Sequence, residues 1–260
     1  MSGTSVDAID AALVDIDGIG SEARVELRAF TSLPFPSEIR RRIFQLFDPS
    51  RGRVDAICTY LPPGCALDQV VAFDTGPGNM VIDALAEVMS GGKERFDRDG
   101  RMAARGKVQP RLLAEWLEDP CFAKDPPKTT GRERFGVQFA RRAMRSAQAG
   151  GISLEDLLAT ASELTAQSIA DSYRRFLLPR GPIDEIIVGG GGSLNPHLRG
   201  RLAALLPGIS LLRHEDVGID SRAKEAISIA VIARDSLAGL PTNVPGATGG
   251  TPAILGKINL

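Results

Sequence analysis

The sequence predicts an α/β protein, and three passages carry that prediction. Residues 183–188 form a buried strand that runs into Gly189-Gly190-Gly191-Gly192-Ser193, and a helix over residues 196–206 follows. Residues 68–73 form a short strand that leads into Asp74-Thr75-Gly76-Pro77-Gly78-Asn79, and a helix over residues 80–89 follows. Residues 8–16 alternate apolar and acidic side chains, and residues 25–30 form a second strand antiparallel to them across Asp17-Gly18-Ile19-Gly20.

The remaining elements follow in order. Pro36 and Ser37 open a basic helix to about Phe47, whose Arg40-Arg41-Arg42 run reads as a solvated face. Pro110 starts a helix through Leu117 that ends near Asp119-Pro120, and Trp116 on it reads as packing. The longest helical stretch covers residues 154–178 with apolar residues at helical spacing. A strand at 209–212 and a small-residue helix at 223–237 complete the pattern. From Pro241 the tail is rich in Pro, Gly and Thr and reads as loop, ending in a short apolar segment at 253–258. Lys128-Thr129-Thr130-Gly131-Arg132-Glu133 is a polar loop with two cations and a carboxylate, and surface loop is its bland reading.

Composition excludes several classes. A net charge of -1 and 5% aromatic residues argue against a nucleic-acid module or an anionic-membrane binder. Three spread cysteines, Cys58, Cys65 and Cys121, argue against a disulfide framework and point to a reducing, cytoplasmic setting. No apolar run reaches the length of a membrane span, and the N-terminus has no signal-peptide pattern. With only His197 and His214, no His/Cys spacing suits zinc.

The glycine segments point to chemistry. Glycine lets the backbone approach phosphate oxygens, backbone N–H groups and Ser or Thr hydroxyls donate to an anion, and carboxylates hold Mg²⁺. Gly3-Thr4-Ser5 with Asp7 reads equally as a phosphate loop or a hairpin turn. The 74–79 segment reads as a metal and phosphate site or as a turn with Asn79 capping the next helix. Four successive glycines at a strand's carboxyl end favour a ligand site, where a flat nucleoside lies on bare backbone. Their spacing is neither the dinucleotide fingerprint nor a Walker A loop. Glu225 reads as first-turn charge on its helix. Three such segments in one chain favour phosphoryl transfer from a nucleotide.

Taken together, the segments resemble the anhydro-N-acetylmuramic acid kinases, members of the sugar kinase/Hsp70/actin superfamily. The resemblance rests on Met1-Ser2-Gly3-Thr4-Ser5-Val6-Asp7-Ala8-Ile9-Asp10, Phe73-Asp74-Thr75-Gly76-Pro77-Gly78-Asn79-Met80 and Pro127-Lys128-Thr129-Thr130-Gly131-Arg132-Glu133. It continues through Gly189-Gly190-Gly191-Gly192-Ser193-Leu194-Asn195-Pro196, Gly218-Ile219-Asp220, Ala223-Lys224-Glu225-Ala226, Leu237-Ala238-Gly239-Leu240-Pro241 and Leu255-Gly256.

The resemblance implies a two-lobed actin-like ATPase/sugar kinase fold with ATP between the lobes. Residues 1–58 would be the remnant of an incomplete N-terminal lobe, and 59–260 the C-terminal lobe with its last residues returning. It implies ATP-dependent hydrolytic opening of 1,6-anhydro-N-acetylmuramic acid with phosphorylation at O6, during peptidoglycan recycling. Gly3, Thr4, Ser5, Asp7, Ala8 and Asp10 would hold ATP phosphates, and Gly189, Gly190, Gly191 and Gly192 would face the nucleoside. Asp74, Asn79 and Glu225 would serve the sugar, and Asp7 and Asp74 would hold Mg²⁺. A homodimer is a family expectation.

Two departures accompany these matches. The strand expected before Gly3 is missing or very short, and Ala8 replaces a usual glycine. Between the stretch near 53–58 and Thr59-Tyr60-Leu61-Pro62, a long family stretch is absent, and with it the general-base Asp, so no residue here inherits the catalytic role. Loss of a general base costs about 10²–10⁴-fold in rate. A weak or inactive enzyme is therefore the expectation, with a nucleotide- or sugar-binding paralogue without turnover as the alternative.

Overall fold

The computed structural model describes residues 8–34, 56–60 and 66–255. Strands β1 (Ala8–Asp17) and β2 (Arg24–Pro34) are followed by β3 (Ala56–Tyr60) and β4 (Val71–Gly76). Helices α1 (Met80–Met89), α2 (Pro110–Leu117), α3 (Val137–Ala149) and α4 (Leu154–Ser172) come next. Then come β5 (Glu185–Val188), α5 (Pro196–Leu205), β6 (Ser210–Arg213) and α6 (Lys224–Leu237). The described strands pair two by two, β1 with β2, β3 with β4 and β5 with β6. This is the mixed α/β architecture that the sequence predicts.

The chain divides into two compact units, one of Met1–Phe47, Thr59–Val71 and His214–Leu260, the other of Asp48–Cys58 and Ala72–Arg213. In the first unit β1 and β2 are antiparallel from Ala8↔Pro34 to Asp17↔Arg24, with a bulge beyond Leu13 that leaves Arg28 as the extra residue. Arg28 bridges Asp15 at 2.6 Å and Glu26 at 2.5 Å. The alternating sequence gives one half-covered face (Asp10, Ala12, Val14, Ile16) and one open face (Ile9, Ala11, Leu13), and α6 packs against β1. The tail is tied down more than a loop reading suggests. A single turn at Pro245–Thr248 follows α6, and Asn243 donates to Thr251 O and accepts from Ala253 N.

The second unit holds the continuous apolar core, with Leu85, Leu157, Leu158, Leu164 and Phe135 fully buried. Its axis is α4, capped by Ser153, whose Oγ accepts from Asp156 N at 3.1 Å. After Ser172 the helix widens into a π turn, Tyr173–Leu177, so the long helical stretch read from the sequence continues to about Leu178. Trp116 packs edge-on against Phe139, 5.2 Å between ring centres. Helix α3 had no place in the sequence reading, although Phe139, Ala140, Ala143 and Ala147 bury one stripe of it.

Two strands begin later than predicted. Residues 67–69 form a 3-10 turn in which Gln69 Oε1 accepts from Ala66 N, so β4 begins only at Val71, and it runs on to Gly76 through the first half of the expected turn. The strand expected at 183–188 begins at Glu185, because Gly181 (φ 157°) and Pro182 keep the approach irregular. It is not a buried strand either. Ile186 is buried, but Ile187 is 50% exposed, since a two-stranded sheet covers one face alone. The basic helix at 36–47 lies outside the described residues.

Candidate functional site

Strands β5 and β6 run parallel, from Glu185↔Ser210 to Val188↔Arg213, and α5 connects them. The four glycines therefore stand at a carboxyl edge, as the sequence predicts for a ligand loop in an open α/β sheet. Gly190 takes φ 75°, and Gly191–Leu194 wind into one 3-10 turn. Ser193 locks the turn by donating from Oγ to Gly190 O at 2.8 Å. Asn195, buried, caps α5 by accepting from Leu198 N at 3.1 Å. Gly100 lies so close that a Cβ there would be 2.3 Å from Asn195 Oδ1.

Asn79 meets this loop. It occupies the N-cap position of α1, but its backbone is helical and its side chain makes no capping bond. Instead Oδ1 stands 2.7 Å from where a Gly192 Cβ would be, and Nδ2 stands 3.4 Å from that of Gly191. The cap reading of Asn79 is thus corrected: the side chain turns to the glycine loop. Behind it, Gly78 (φ 52°) gives its carbonyl to Thr165 Oγ1 at 2.7 Å. A Cβ on Gly76 would be 2.5 Å from Ser168 Oγ, so the turn rests directly on α4.

Asp74, within β4, is buried, and its Oδ2 accepts from Thr130 N at 2.8 Å. Its own N–H donates to Lys128 O at 3.0 Å. Residues 128–130 are therefore not a free surface loop. Lys128–Thr130 lies alongside β4, and Thr130 and Gly131 are buried. Thr130 Oγ1 is a buried hydroxyl without a partner among the described residues. The pairing joins residues 56 positions apart, so no local pattern announces it.

An ion pair between the buried Glu163 of α4 and the half-exposed Arg201 ties α5 to α4. Arg201 donates to both oxygens of Glu163, at 2.7 and 3.1 Å, and Gln167 donates at 2.9 Å. Burial alone would raise the Glu163 pKa, but these bonds and the Arg201 charge outweigh it and hold the carboxyl below the usual range. Burial lowers the His197 pKa, against the pull of Asp97. Burial, with Asp119 beside it, pushes the thiol of Cys121, a free cysteine, up to about 12, which disfavours the thiolate.

The sequence-predicted residues divide between the units. Asp74, Asn79 and Gly189–192 belong to the second, where Asn79 and the glycines are brought together. Ala8, buried at the start of β1, Asp10 on the hairpin and Glu225 in the first turn of α6 belong to the first. Gly3, Thr4, Ser5 and Asp7 lie outside the described residues. Among the described residues no group of three or more His, Cys, Asp or Glu side chains has the geometry of a metal site. Mg²⁺ needs only one or two protein carboxylates beside phosphate and water, so Asp74 is compatible with it. No described helix is long and apolar enough to cross a membrane.

An α/β chain with a glycine loop at the carboxyl edge of parallel strands has the outline of a nucleotide-binding protein. The sequence profile of the anhydro-N-acetylmuramic acid kinase family matches it in two stretches, residues 1–60 and 53–260. The anhydro-N-acetylmuramic acid kinase of Caldanaerobacter subterraneus subsp. tengcongensis is 32% identical over an alignment of 378 positions, covering 100% of this chain and 96% of the relative. With 260 residues in the chain, that alignment bridges a long gap in it. The enzymes of the same name from Cyanothece sp. and Salinibacter ruber are 43% and 42% identical over 76% and 80% of this chain. In those alignments the chain spans about half of each relative, 52% and 53%. The chain belongs to the anhydro-N-acetylmuramic acid kinase family.

Proposed function

We propose that the protein is an ATP-dependent kinase that opens 1,6-anhydro-N-acetylmuramic acid and phosphorylates O6. Overall, the anhydro sugar, water and ATP would give N-acetylmuramic acid 6-phosphate and ADP, in the recycling of peptidoglycan in the cytoplasm. Family membership supports the reaction, and the single structural observation that carries it is the approach of Asn79 to the bare backbone of Gly191 and Gly192. The names of these relatives lend no support to a paralogue without turnover.

In this reading the fold is two-lobed and actin-like, with an incomplete N-terminal lobe in residues 1–58. Gly189–Gly192 accept the nucleoside face, because a Cβ at Gly192 would collide with Asn79 and glycine keeps the surface low. Gly3, Thr4, Ser5, Asp7, Ala8 and Asp10 cradle phosphates. Bound Mg²⁺-ATP supplies the phosphoryl group and the counter-charge for it. Asp7 and Asp74 would hold the metal, and Thr130 N–H orients the Asp74 carboxylate. Asn79 and Glu225 complete the sugar side. No described residue is assigned as the base that activates water. A homodimer is part of the same family-based proposal.

Isothermal titration with ADP tests the nucleotide half of this reading. Binding that is lost when Gly190 and Gly191 are both changed to valine supports it, and wild-type protein that takes up no nucleotide removes it.

A further inference from the structure

Lys128 belongs to a segment that neither the nucleotide loop nor the Asp74 carboxylate accounts for. Its ammonium lies 5.9 Å from the centre of the Phe73 ring and 5.2 Å from that of Phe176. An ammonium has three donors. Among the described residues, the one hydrogen bond from Nζ is long, 3.4 Å to Cys121 O. The half-buried cation therefore has donors to spare.

Those donors border a cavity of about 250 Å³. Leu117, Phe122 and Phe176 give it apolar walls, and Lys128, Arg175 and Asp171 bring charge. Arg175 is already engaged, donating to Phe122 O at 2.8 Å and Ala123 O at 3.3 Å, with its charge 4.7 Å from the Phe176 ring. Asp171 is paired with Arg174 at 2.8 Å. Lys128 is thus the unsatisfied charge of the cavity. It lines the narrow recess at Asp74 as well. The volume is below the roughly 300–1,000 Å³ of a site for a whole drug-sized ligand, and suits one arm of a larger molecule.

We propose that Lys128 binds a small oxyanion in this cavity, and that the oxyanion is the carboxylate of the acid sugar. The assignment rests on the sugar-kinase reading, since muramic acid differs from glucosamine by a lactyl ether that ends in a carboxylate. Asp74 and Lys128 then divide the work: one carboxylate serves metal or hydroxyl, and one ammonium serves the substrate's negative arm. Burial and the nearby Arg175 hold the Lys128 pKa below the ordinary lysine value, and an anion beside it would reverse that.

Titration calorimetry with ADP present tests the proposal, using 1,6-anhydro-N-acetylmuramic acid, 1,6-anhydro-N-acetylglucosamine and inorganic phosphate as probes. Wild-type protein should bind the acid sugar about tenfold tighter than the neutral one, the effect of a charge-assisted hydrogen bond. Lys128→Met, which keeps an apolar stem on the two rings, should erase that preference while leaving ADP affinity unchanged. Lys128→Arg should restore part of it, which a merely structural role would not require. Phosphate binding that Lys128→Met abolishes, without any sugar binding, would keep the oxyanion site and remove the sugar as its source. A preference that survives in Lys128→Met, or wild-type protein that binds neither sugar nor phosphate, overturns the proposal.

Discussion

The amide oxygen of Asn79 stands 2.7 Å from the point that a side chain on Gly192 would occupy. The two residues come from different strand–turn–helix passages, so this approach fixes one glycine turn against the other. Gly192→Ala should therefore push the loop off Asn79 and weaken ADP binding by about tenfold, a cost of about 1.4 kcal/mol. Removing the obstacle should relieve it: Asn79→Ala with Gly192→Ala should bind ADP better than Gly192→Ala alone. A double-mutant cycle by titration calorimetry reads the sign of the coupling.

The Glu163–Arg201 pair makes the second unit acid-sensitive in a defined direction. The folded-state pKa of Glu163 lies below its unfolded value, so the pair stabilises the fold fully above the ordinary glutamate range. That contribution is lost as pH falls through the lowered folded value. Arg201→Ala leaves a buried carboxylate without its cation and should cost about 1–3 kcal/mol at neutral pH, below the roughly 3–5 kcal/mol of a fully buried pair because Arg201 is half exposed. Urea unfolding of both proteins between pH 7 and pH 3 should show the gap shrinking towards acid.

Two glycines of the second unit should respond in opposite directions. A Cβ on Gly106 would be 2.0 Å from the backbone oxygen of Glu155, where no side chain can yield. Gly106→Ala should destabilise by about 3 kcal/mol, the upper part of the usual overpacking range. Gly200 lies inside α5 with open space around its Cβ position. Gly200→Ala should stabilise by about 0.5–1 kcal/mol through helix propensity and reduced unfolded-state entropy. Chemical denaturation separates the two.

The units should differ in local stability. The continuous core lies wholly in the second, whereas Leu13, Leu33 and Leu237 of the first are 64%, 66% and 73% exposed. Hydrogen exchange should be slowest in α4 and much faster in the β1–β2 hairpin, because a hairpin with one open apolar face is marginal alone. Leu13→Lys should reduce self-association at high concentration without speeding exchange in α4, as light scattering and exchange together can check.

Much of this was legible in the sequence where one element alone decided the outcome. The alternation over residues 8–16 set β1, Pro196 after Asn195 set the start of α5, and the glycine run set the turn at the carboxyl end of β5. What stayed hidden depends on distant partners. The Asn79 side chain looks like a helix cap locally, and only the arrival of Gly192 shows where it points. Lys128–Thr130 looks like a polar loop until Asp74 claims its backbone. Ile183 and Asp184 look like strand, but the two-stranded sheet stops at Glu185. Helix α3 escaped because its buried stripe is mostly alanine, a weak hydrophobic signal between arginines.

The central claim is that this chain transfers phosphate to the anhydro sugar, and product analysis tests it most directly. Purified protein is incubated with Mg²⁺-ATP and 1,6-anhydro-N-acetylmuramic acid in ¹⁸O-labelled water, and the sugar products are weighed by mass spectrometry. The account predicts N-acetylmuramic acid 6-phosphate carrying one labelled oxygen at the anomeric carbon, with one ADP formed per sugar. Protein that binds ADP yet returns the anhydro sugar unchanged would contradict it.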